Sequence, residues 1–192
     1  MNTADEILMT EVRSGDLRKL AVLFERHHRP LYNFFVQTTG STDRSEDMVQ
    51  EVFFRLLRYR HTYDEARPFT AWLYQIARNI RLEGARKRRG ELQLVTAGEQ
   101  EAVDPALEPV TPEPDAEEAL QRRQEIELLR RALRLLPDDK RELLVLSRFQ
   151  KLPYEQIAQI LGCEVGAVKV RVYRAVRELG QTYLELMGRR AS

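Results

Sequence analysis

Between residues 154 and 174, the pattern of hydrophobic and polar positions predicts two short helices joined by a tight turn. Ile157, Ala158 and Leu161 form one apolar stripe, and Gly162 follows at once. Glycine tolerates the positive φ that a chain needs to reverse direction at the end of a helix. The inward positions of the second helix are then expected at Val165, Val168, Val172 and Val176. This layout is typical of a helix-turn-helix, and an ordinary helical hairpin with a solvated basic face is the alternative.

The second helix of this motif also carries outward cations. Lys169, Arg171 and Arg174 project away from the valine stripe. In a helix-turn-helix, the second helix enters the major groove, where basic side chains contact phosphates and base edges. The C-terminal pattern therefore favours binding to duplex DNA.

Helical periodicity also runs through the first 90 residues. Residues 14–16 end a first helix and cap a second, Pro30 is expected to bend or break that second helix, and residues 41–43 open a third. The apolar stripe of the third helix consists of Met48, Val49, Val52, Phe53, Leu56 and Leu57. Its other face is polar, so this helix is predicted to pack on one side and to remain open on the other.

A fourth helix begins near Pro68 and becomes strongly basic in its later half. Its core positions are Phe69, Trp72, Leu73, Ile76 and Ile80. Tyr74 lies off this stripe and is a candidate for stacking on an unpaired base, while the amide of Asn79 can pair with a base edge. Gly84 lowers helix propensity by about 1 kcal/mol relative to alanine, so the helix is expected to fray before Arg86.

Composition limits the classes of protein that fit. The chain has 192 residues, of which 32% are charged, and few are glycine or proline, which favours a helical protein without a membrane span. The N-terminus is acidic where a signal peptide is basic, so the cytoplasm is the expected compartment. A single cysteine, Cys163, cannot form an internal disulfide or a metal cluster, and a small buried hydrophobe is its expected role.

Charge divides the chain into three parts. Residues 1–90 carry 16 basic and 12 acidic side chains, residues 91–118 carry nine acidic and no basic ones, and residues 119–192 carry 15 basic and nine acidic ones. The middle part also contains four prolines and few large apolar residues, which predicts a flexible acidic linker. We therefore expect an all-α protein with two small helical domains, at 1–90 and 119–192, joined by that linker.

Three stretches, taken in this order, resemble a bacterial RNA polymerase sigma factor of the sigma-70 family, in the extracytoplasmic-function (ECF) class. Residues 46–57 resemble the family's helix that docks on the clamp of core RNA polymerase. Residues 68–89 resemble the helix that melts and reads the −10 element, and residues 135–179 resemble the domain that reads the −35 element. Each match is weak alone, but three in the right order on either side of a linker are specific.

This resemblance implies roles for particular residues. Core polymerase would be contacted by Asp47, Gln50, Glu51 and Phe54. The −10 element would be contacted by Tyr74, Arg78, Asn79, Arg81, Glu83, Arg86 and Arg88. The −35 element would be contacted by Val165, Gly166, Lys169, Arg171 and Arg174. The loop over residues 64–68 would help to hold a flipped base.

The implied partners are core RNA polymerase and promoter DNA, with no membrane, cofactor, metal or catalytic residue, and family members are often held by an anti-sigma protein. A conventional helix-turn-helix regulator is the alternative, and it leaves the third and fourth helices unexplained. An enzyme is a weaker alternative, because His27, His28 and His61 lack the spacing of metal ligands and the chain has no phosphate-binding glycine loop.

Overall fold

The structure is a computed structural model that describes residues 4–92 and 116–190. No strand occurs in this described part of the chain, and its regular elements are helices, as the sequence predicts. The described residues form α1 (Asp5–Arg13), α2 (Arg18–Thr39), α3 (Thr42–Arg58), α4 (Phe69–Leu92), α5 (Ala116–Leu135), α6 (Asp138–Leu144), α7 (Tyr154–Leu161) and α8 (Val165–Arg190). A short 3-10 helix lies at Arg60–Thr62, and a π-helical segment lies at Val145–Phe149.

Helices α1 to α4 pack around large apolar side chains. The buried stripe of α3 consists of Val49, Val52, Phe53 and Leu56, with Met48 and Leu57 partly buried at its edges. This stripe lies between α2 and α4, as the spacing of its residues predicts. The turn between α1 and α2 falls at residues 14–16, where Asp16 Oδ1 accepts the backbone N–H of Arg18 at 3.2 Å.

Helix α2 runs unbroken through Pro30, so the expectation of a break at this residue is wrong, and a bend there stays a prediction. A proline inside a helix removes one backbone hydrogen bond and costs about 3 kcal/mol. Leu31, Phe34 and Phe35 follow it directly and are completely buried. Because burial of one such side chain contributes roughly 1.5–3 kcal/mol, the packing of these three outweighs the cost of the proline.

Helix α4 continues past Gly84 to Leu92, which corrects the expectation that it frays before Arg86. A Cβ atom added at Gly84 would lie 3.3 Å from Cε of Met48 on α3. This separation is shorter than an ordinary van der Waals contact, so the missing side chain lets α3 and α4 approach closely. The packing of α4 against α3 offsets the low helix propensity of the glycine.

The predicted helix-turn-helix consists of α7, a turn at Gly162, and α8. Gly162 adopts the left-handed conformation, with φ of 64°, that a reversal at the end of a helix requires. Val168 and Val172 are buried as predicted, but Val176 is exposed and Ala175 takes the inward position. The reason is geometric. Val168, Val172 and Ala175 are spaced at i, i+4 and i+7 and therefore share one helix face, whereas Val176 is rotated from Ala175 by about 100°.

The two halves of the described chain pack directly against each other. Helix α4 lies against α7, and α2 lies against α6 and the π-helical segment. Arg141 on α6 lies at this junction. Its guanidinium donates to the carbonyl oxygens of Leu133, Arg134 and Leu136 around the end of α5, and to that of Thr38 in α2.

Most of the predicted acidic linker at residues 91–118 lies outside the described residues. Its two ends are helical, because α4 extends to Leu92 and α5 begins at Ala116. One continuous group of buried apolar side chains includes residues from both halves of the described chain. The division into domains at 1–90 and 119–192 stays a prediction.

Candidate polymerase-binding and DNA-binding surfaces

One face of α3 carries the four residues predicted to contact polymerase. Asp47, Gln50, Glu51 and Phe54 follow each other at i, i+3, i+4 and i+7, which places them in one stripe. Three of them are exposed, and Glu51 is partly buried. The exposed fraction of Phe54 is 59%, although Phe53 beside it is buried. An aromatic side chain in water beside carboxylate and amide groups is suited to contact with another protein.

A bidentate ion pair connects this face of α3 to α4. Arg55 donates from Nη1 and Nη2 to the two carboxylate oxygens of Glu83, at 2.9 and 2.7 Å, and from Nε to Glu51 at 2.6 Å. The hydrogen bonds from Arg55 lower the pKa of the Glu83 carboxyl, and those to Glu83 raise the pKa of Arg55. Glu83, one of the residues predicted to contact the −10 element, therefore joins two helices in this structure.

The α4 residues predicted to contact the −10 element are divided between open and covered positions. Asn79, Glu83 and Arg86 are exposed. Arg78 and Arg88 are partly buried. Tyr74 and Arg81 are only 2% and 3% exposed. The structure therefore does not bring all seven side chains to one open surface.

Tyr74 is in the core, so its expected position on an exposed stacking surface is wrong for this arrangement. Its ring meets Phe34 edge-on, with 5.4 Å between ring centroids, and burial raises its pKa. Its hydroxyl donates to Oε1 of Gln150 at 2.7 Å. The single apolar stripe assumed for α4 missed this position, because α4 is covered on one side by α2 and on another by α7.

A carboxylate from the C-terminal half covers two of the α4 arginines. Oε2 of Glu142 on α6 accepts a hydrogen bond from Nε of Arg78 at 3.3 Å and forms an ion pair with Arg81, whose Nη2 lies 2.9 Å away. Sequence reasoning missed both Glu142 and Gln150. Because 64 residues separate Glu142 from Arg78 along the chain, no periodic pattern could have linked them.

The loop at residues 64–68 lies beside an aromatic cluster. The Tyr63 ring contacts those of Phe69 and Trp72, with centroid distances of 6.1 and 5.2 Å. Trp72, expected in the core, is only partly buried. The hydroxyl of Tyr63 donates to the carbonyl oxygen of Arg67 at 3.2 Å, which ties the loop to this cluster. An exposed loop next to a partly open indole can form one wall of a pocket for a planar base.

Helix α8 presents the cations predicted to contact the −35 element. Lys169, Arg171 and Arg174 are exposed, as is Gly166, while Val165 packs partly against the core. Two further side chains on this helix, Arg177 and Tyr173, are also exposed and were not predicted from the sequence. Arg177 could have been found from its i+3 spacing to Arg174.

Among the described residues, no three His, Cys, Asp or Glu side chains are grouped so that they could hold a metal ion. The adjacent histidines have partners within the fold, since His27 Nε2 lies 2.7 Å from Asp5 Oδ2 and the His28 ring stacks on Phe24. Cys163 is a free, partly buried thiol. None of the described helices is both long enough and apolar enough to span a bilayer.

Each half of the sequence matches the description of a protein family, and the two matches follow the order in which the proposed surfaces occur along the chain. Residues 23–91 match "Sigma-70 region 2", and residues 126–179 match "Sigma-70, region 4". The ECF RNA polymerase sigma factor EcfG of Rhodopseudomonas palustris is 34% identical over 76% of this chain and 75% of its own length. The RNA polymerase sigma-H factor of Pseudomonas aeruginosa is 31% identical over 89% of both chains.

Solved structures agree with these matches. CnrH, in complex with the cytosolic domain of CnrY, superimposes with a TM-score of 0.69 at 25% identity, over 93% of this chain and 96% of its own. RpoE of Bartonella quintana, in complex with the anti-sigma factor NepR, also gives 0.69, at 26% identity over 84% and 94%. The region 2 match includes α3 and α4, which a conventional regulator leaves unexplained. The chain belongs to the ECF class of the sigma-70 family, whose members direct core RNA polymerase to promoters for transcription initiation.

Proposed function

We propose that the exposed stripe of α3 is the surface that binds core RNA polymerase. The observation that carries this proposal is the exposed ring of Phe54, which shares its stripe with Asp47 and Gln50, while the apolar stripe of α3 is buried or partly buried. Aromatic anchors surrounded by polar groups supply much of the affinity at protein interfaces. Glu51 lies at the edge of this surface, where its carboxylate also accepts a hydrogen bond from Arg55.

The −10 element is contacted by α4. Asn79 and Arg86 support this role directly because both are exposed. Tyr74, Arg78 and Arg81 take part once the C-terminal half no longer covers them, with Arg88 at the far end of the helix. Glu83 contributes indirectly, by fixing α4 on α3 through Arg55. The loop at residues 64–68 and the partly open Trp72 form the wall against which a flipped base is held.

The −35 element is contacted by α8. The cations Lys169, Arg171 and Arg174 approach base edges and phosphates in the major groove, as the second helix of a helix-turn-helix does. Gly166 lies at the start of this helix, where a Cβ would meet nothing within 4 Å, so it allows close approach of a DNA backbone. Val165 orients the first turn by packing against the core.

The protein acts in the cytoplasm as a binding factor and performs no bond chemistry itself. An anti-sigma protein is a further partner, because two relatives of known structure were solved in complexes, RpoE with an anti-sigma factor and CnrH with CnrY. The α3 stripe is the surface that such a partner would cover, since this would prevent polymerase binding.

The experiment that tests this proposal combines binding with transcription. The variant Asp47→Arg with Phe54→Ala should lose core-polymerase binding in a pull-down and lose promoter-dependent transcription in vitro. Its circular dichroism and melting temperature should stay close to those of the parent, because both side chains are exposed. These two positions are preferable to Glu51, whose replacement would also disturb Arg55.

A matched control is Glu125→Arg with Leu129→Ala on α5, which likewise reverses one negative charge and removes one large apolar side chain, at two exposed positions of the other half. We expect this control to retain polymerase binding. Normal binding by the folded α3 variant would refute the assignment of the polymerase surface.

A further inference from the structure

We propose that the free protein is held in a closed form, in which the carboxylate of Glu142 occupies the place of a DNA phosphate on α4. The proposal rests on the proposed role of α4 in contacting the −10 element. It adds a contact within the chain that must be released before that element is bound. We refer to the contacts of Glu142, Gln150 and Arg141 with α2 and α4 as the latch.

Glu142 brings one negative charge to two guanidinium groups. Its side chain is only 3% exposed, and its Oε2 forms ion pairs with both Arg78 and Arg81, at 3.3 and 2.9 Å. Within the described chain, Oε1 of Glu142 and Nε of Arg81 are buried and have no hydrogen-bond partner. Paired arginines bind carboxylates and phosphates by the same charge-assisted hydrogen bonds. The arginines can therefore hold the Glu142 carboxylate or a backbone phosphate of DNA, but not both.

Two further hydrogen bonds fasten the same region. Gln150 accepts from the hydroxyl of Tyr74 at 2.7 Å, and Arg141 donates to the carbonyl oxygen of Thr38 at 3.1 Å. All three connections of the latch start between residues 141 and 150. Because this stretch consists of the end of α6, the π-helical segment and Gln150 directly after it, we expect the connections to break together when the C-terminal half moves away.

The closed form leaves the other proposed surfaces accessible. Asp47, Gln50 and Phe54 on α3 are exposed, so core polymerase can engage the closed protein. By contrast, Tyr74 and Arg81 are buried and out of reach of a DNA strand. Opening must therefore accompany or follow polymerase binding. This order prevents the free protein from capturing single-stranded DNA before it has joined the polymerase.

Removal of the Glu142 charge should favour the open form. Loss of the counter-charge is strongly unfavourable for the buried Arg81 and less so for the partly buried Arg78, and opening returns both to water. Glu142→Gln is the suitable change, because glutamine keeps the shape of the side chain, removes its charge and replaces one acceptor oxygen with an NH2 group that cannot accept from the arginines. A smaller effect of the same sign is expected for Gln150→Ala, which removes the hydrogen bond to Tyr74.

The test compares both variants with the parent and with Glu178→Gln. Glu178 on α8 pairs with Lys140 on α6, so this control loses an ion pair that lies entirely within the C-terminal half. Small-angle X-ray scattering of the full chain without polymerase measures its radius of gyration. Fluorescence anisotropy measures binding of a labelled single-stranded oligonucleotide that carries the −10 element of a promoter mapped with the parent protein.

We expect Glu142→Gln to increase the radius of gyration and to bind the oligonucleotide about five-fold more tightly or better, because apparent affinity rises with the open fraction. Glu178→Gln should match the parent in both measurements. Circular dichroism establishes whether each variant is folded. If Glu142→Gln does not fold, the radius of gyration and the oligonucleotide affinity of Gln150→Ala test the latch instead.

An unchanged radius and affinity in the folded variants would overturn the latch. Transcription by the parent with core polymerase is measured in parallel and addresses a different claim. If the parent does not support transcription, the proposed function fails. If it does, and the variants neither open nor bind the strand more tightly, only the latch is refuted.

Discussion

The guanidinium of Arg55 on α3 and the carboxylate of Glu83 on α4 form two parallel hydrogen bonds, at 2.9 and 2.7 Å. The same guanidinium donates to Glu51, a residue of the proposed polymerase surface. One side chain therefore connects the helix that meets polymerase to the helix that meets the −10 element. This connection fixes the two surfaces relative to each other.

Glu83→Gln should reduce the free energy of unfolding by about 0.2–1 kcal/mol, the range for an ion pair near the surface. Because Arg55 lowers the pKa of Glu83, the pair stabilises the protein above the ordinary carboxyl pKa of 4.5, and this contribution is lost as pH falls through the lowered value. Denaturant unfolding at a series of pH values measures both effects. A difference between parent and variant that does not shrink in acid would contradict this role of the pair.

Gly84→Ala should stabilise the protein, by up to about 1 kcal/mol from helix propensity. The new Cβ would lie 3.3 Å from the terminal methyl of Met48, and that flexible side chain can move by the small distance required. Gly84→Leu should destabilise instead, because its larger side chain would force α3 and α4 apart. Thermal unfolding of the two variants tests this, and destabilisation by alanine would show that Met48 cannot yield.

Lys169→Ala and Arg171→Ala should each weaken binding to the −35 element, by about 1–3 kcal/mol where a base edge is contacted. A residue that contacts only phosphate should instead weaken binding to all sequences alike and make the dependence on salt shallower. Binding of holoenzyme to promoter duplexes over a range of salt concentrations separates the two cases. Arg122→Ala on α5, which is also an exposed arginine, is the control. Parental promoter activity in both α8 variants would refute the recognition-helix assignment.

Asn79→Ala should impair open-complex formation while closed complexes form normally. Extruding a base costs a few kcal/mol, which contacts with the open strand must recover. A template already mismatched across the −10 element should therefore restore part of the activity. Permanganate reactivity of unpaired thymines reports opening on both templates. Gln75→Ala, an exposed amide one turn earlier on α4, is the matched control, and parental opening rates with Asn79→Ala would exclude strand capture by this residue.

Features set by neighbouring residues could be predicted from the sequence. The α3 stripe follows from helical spacing, and its polar face with Asp47 and Phe54 is exposed as expected. Gly162 ends α7 in the left-handed conformation because no side chain opposes it. The Pro30 break was wrong for the opposite reason, since burial of the phenylalanines beyond it is a tertiary effect that local rules omit.

Contacts between the halves were beyond the reach of sequence patterns. The burial of Tyr74 and Arg81 depends on Glu142 and Gln150, which lie more than 60 residues further along the chain. A helix covered on two sides shows no simple amphipathic stripe, so Tyr74 was assigned to the wrong face. Charge alone also misleads here, because a cluster of arginines that suits DNA can equally bind a carboxylate of its own chain.

Arg141 has a consequence for protein engineering. Three of its carbonyl partners belong to the C-terminal half, and only Thr38 belongs to the other half. Separation of the halves therefore costs this side chain a single hydrogen bond, which water can replace, and the corner between α5 and α6 keeps its shape. A chimaeric sigma factor that receives this half from the present chain would inherit Glu142 on an intact scaffold. The chimaera would adopt the closed form only where the recipient's fourth helix supplies a pair of arginines placed like Arg78 and Arg81.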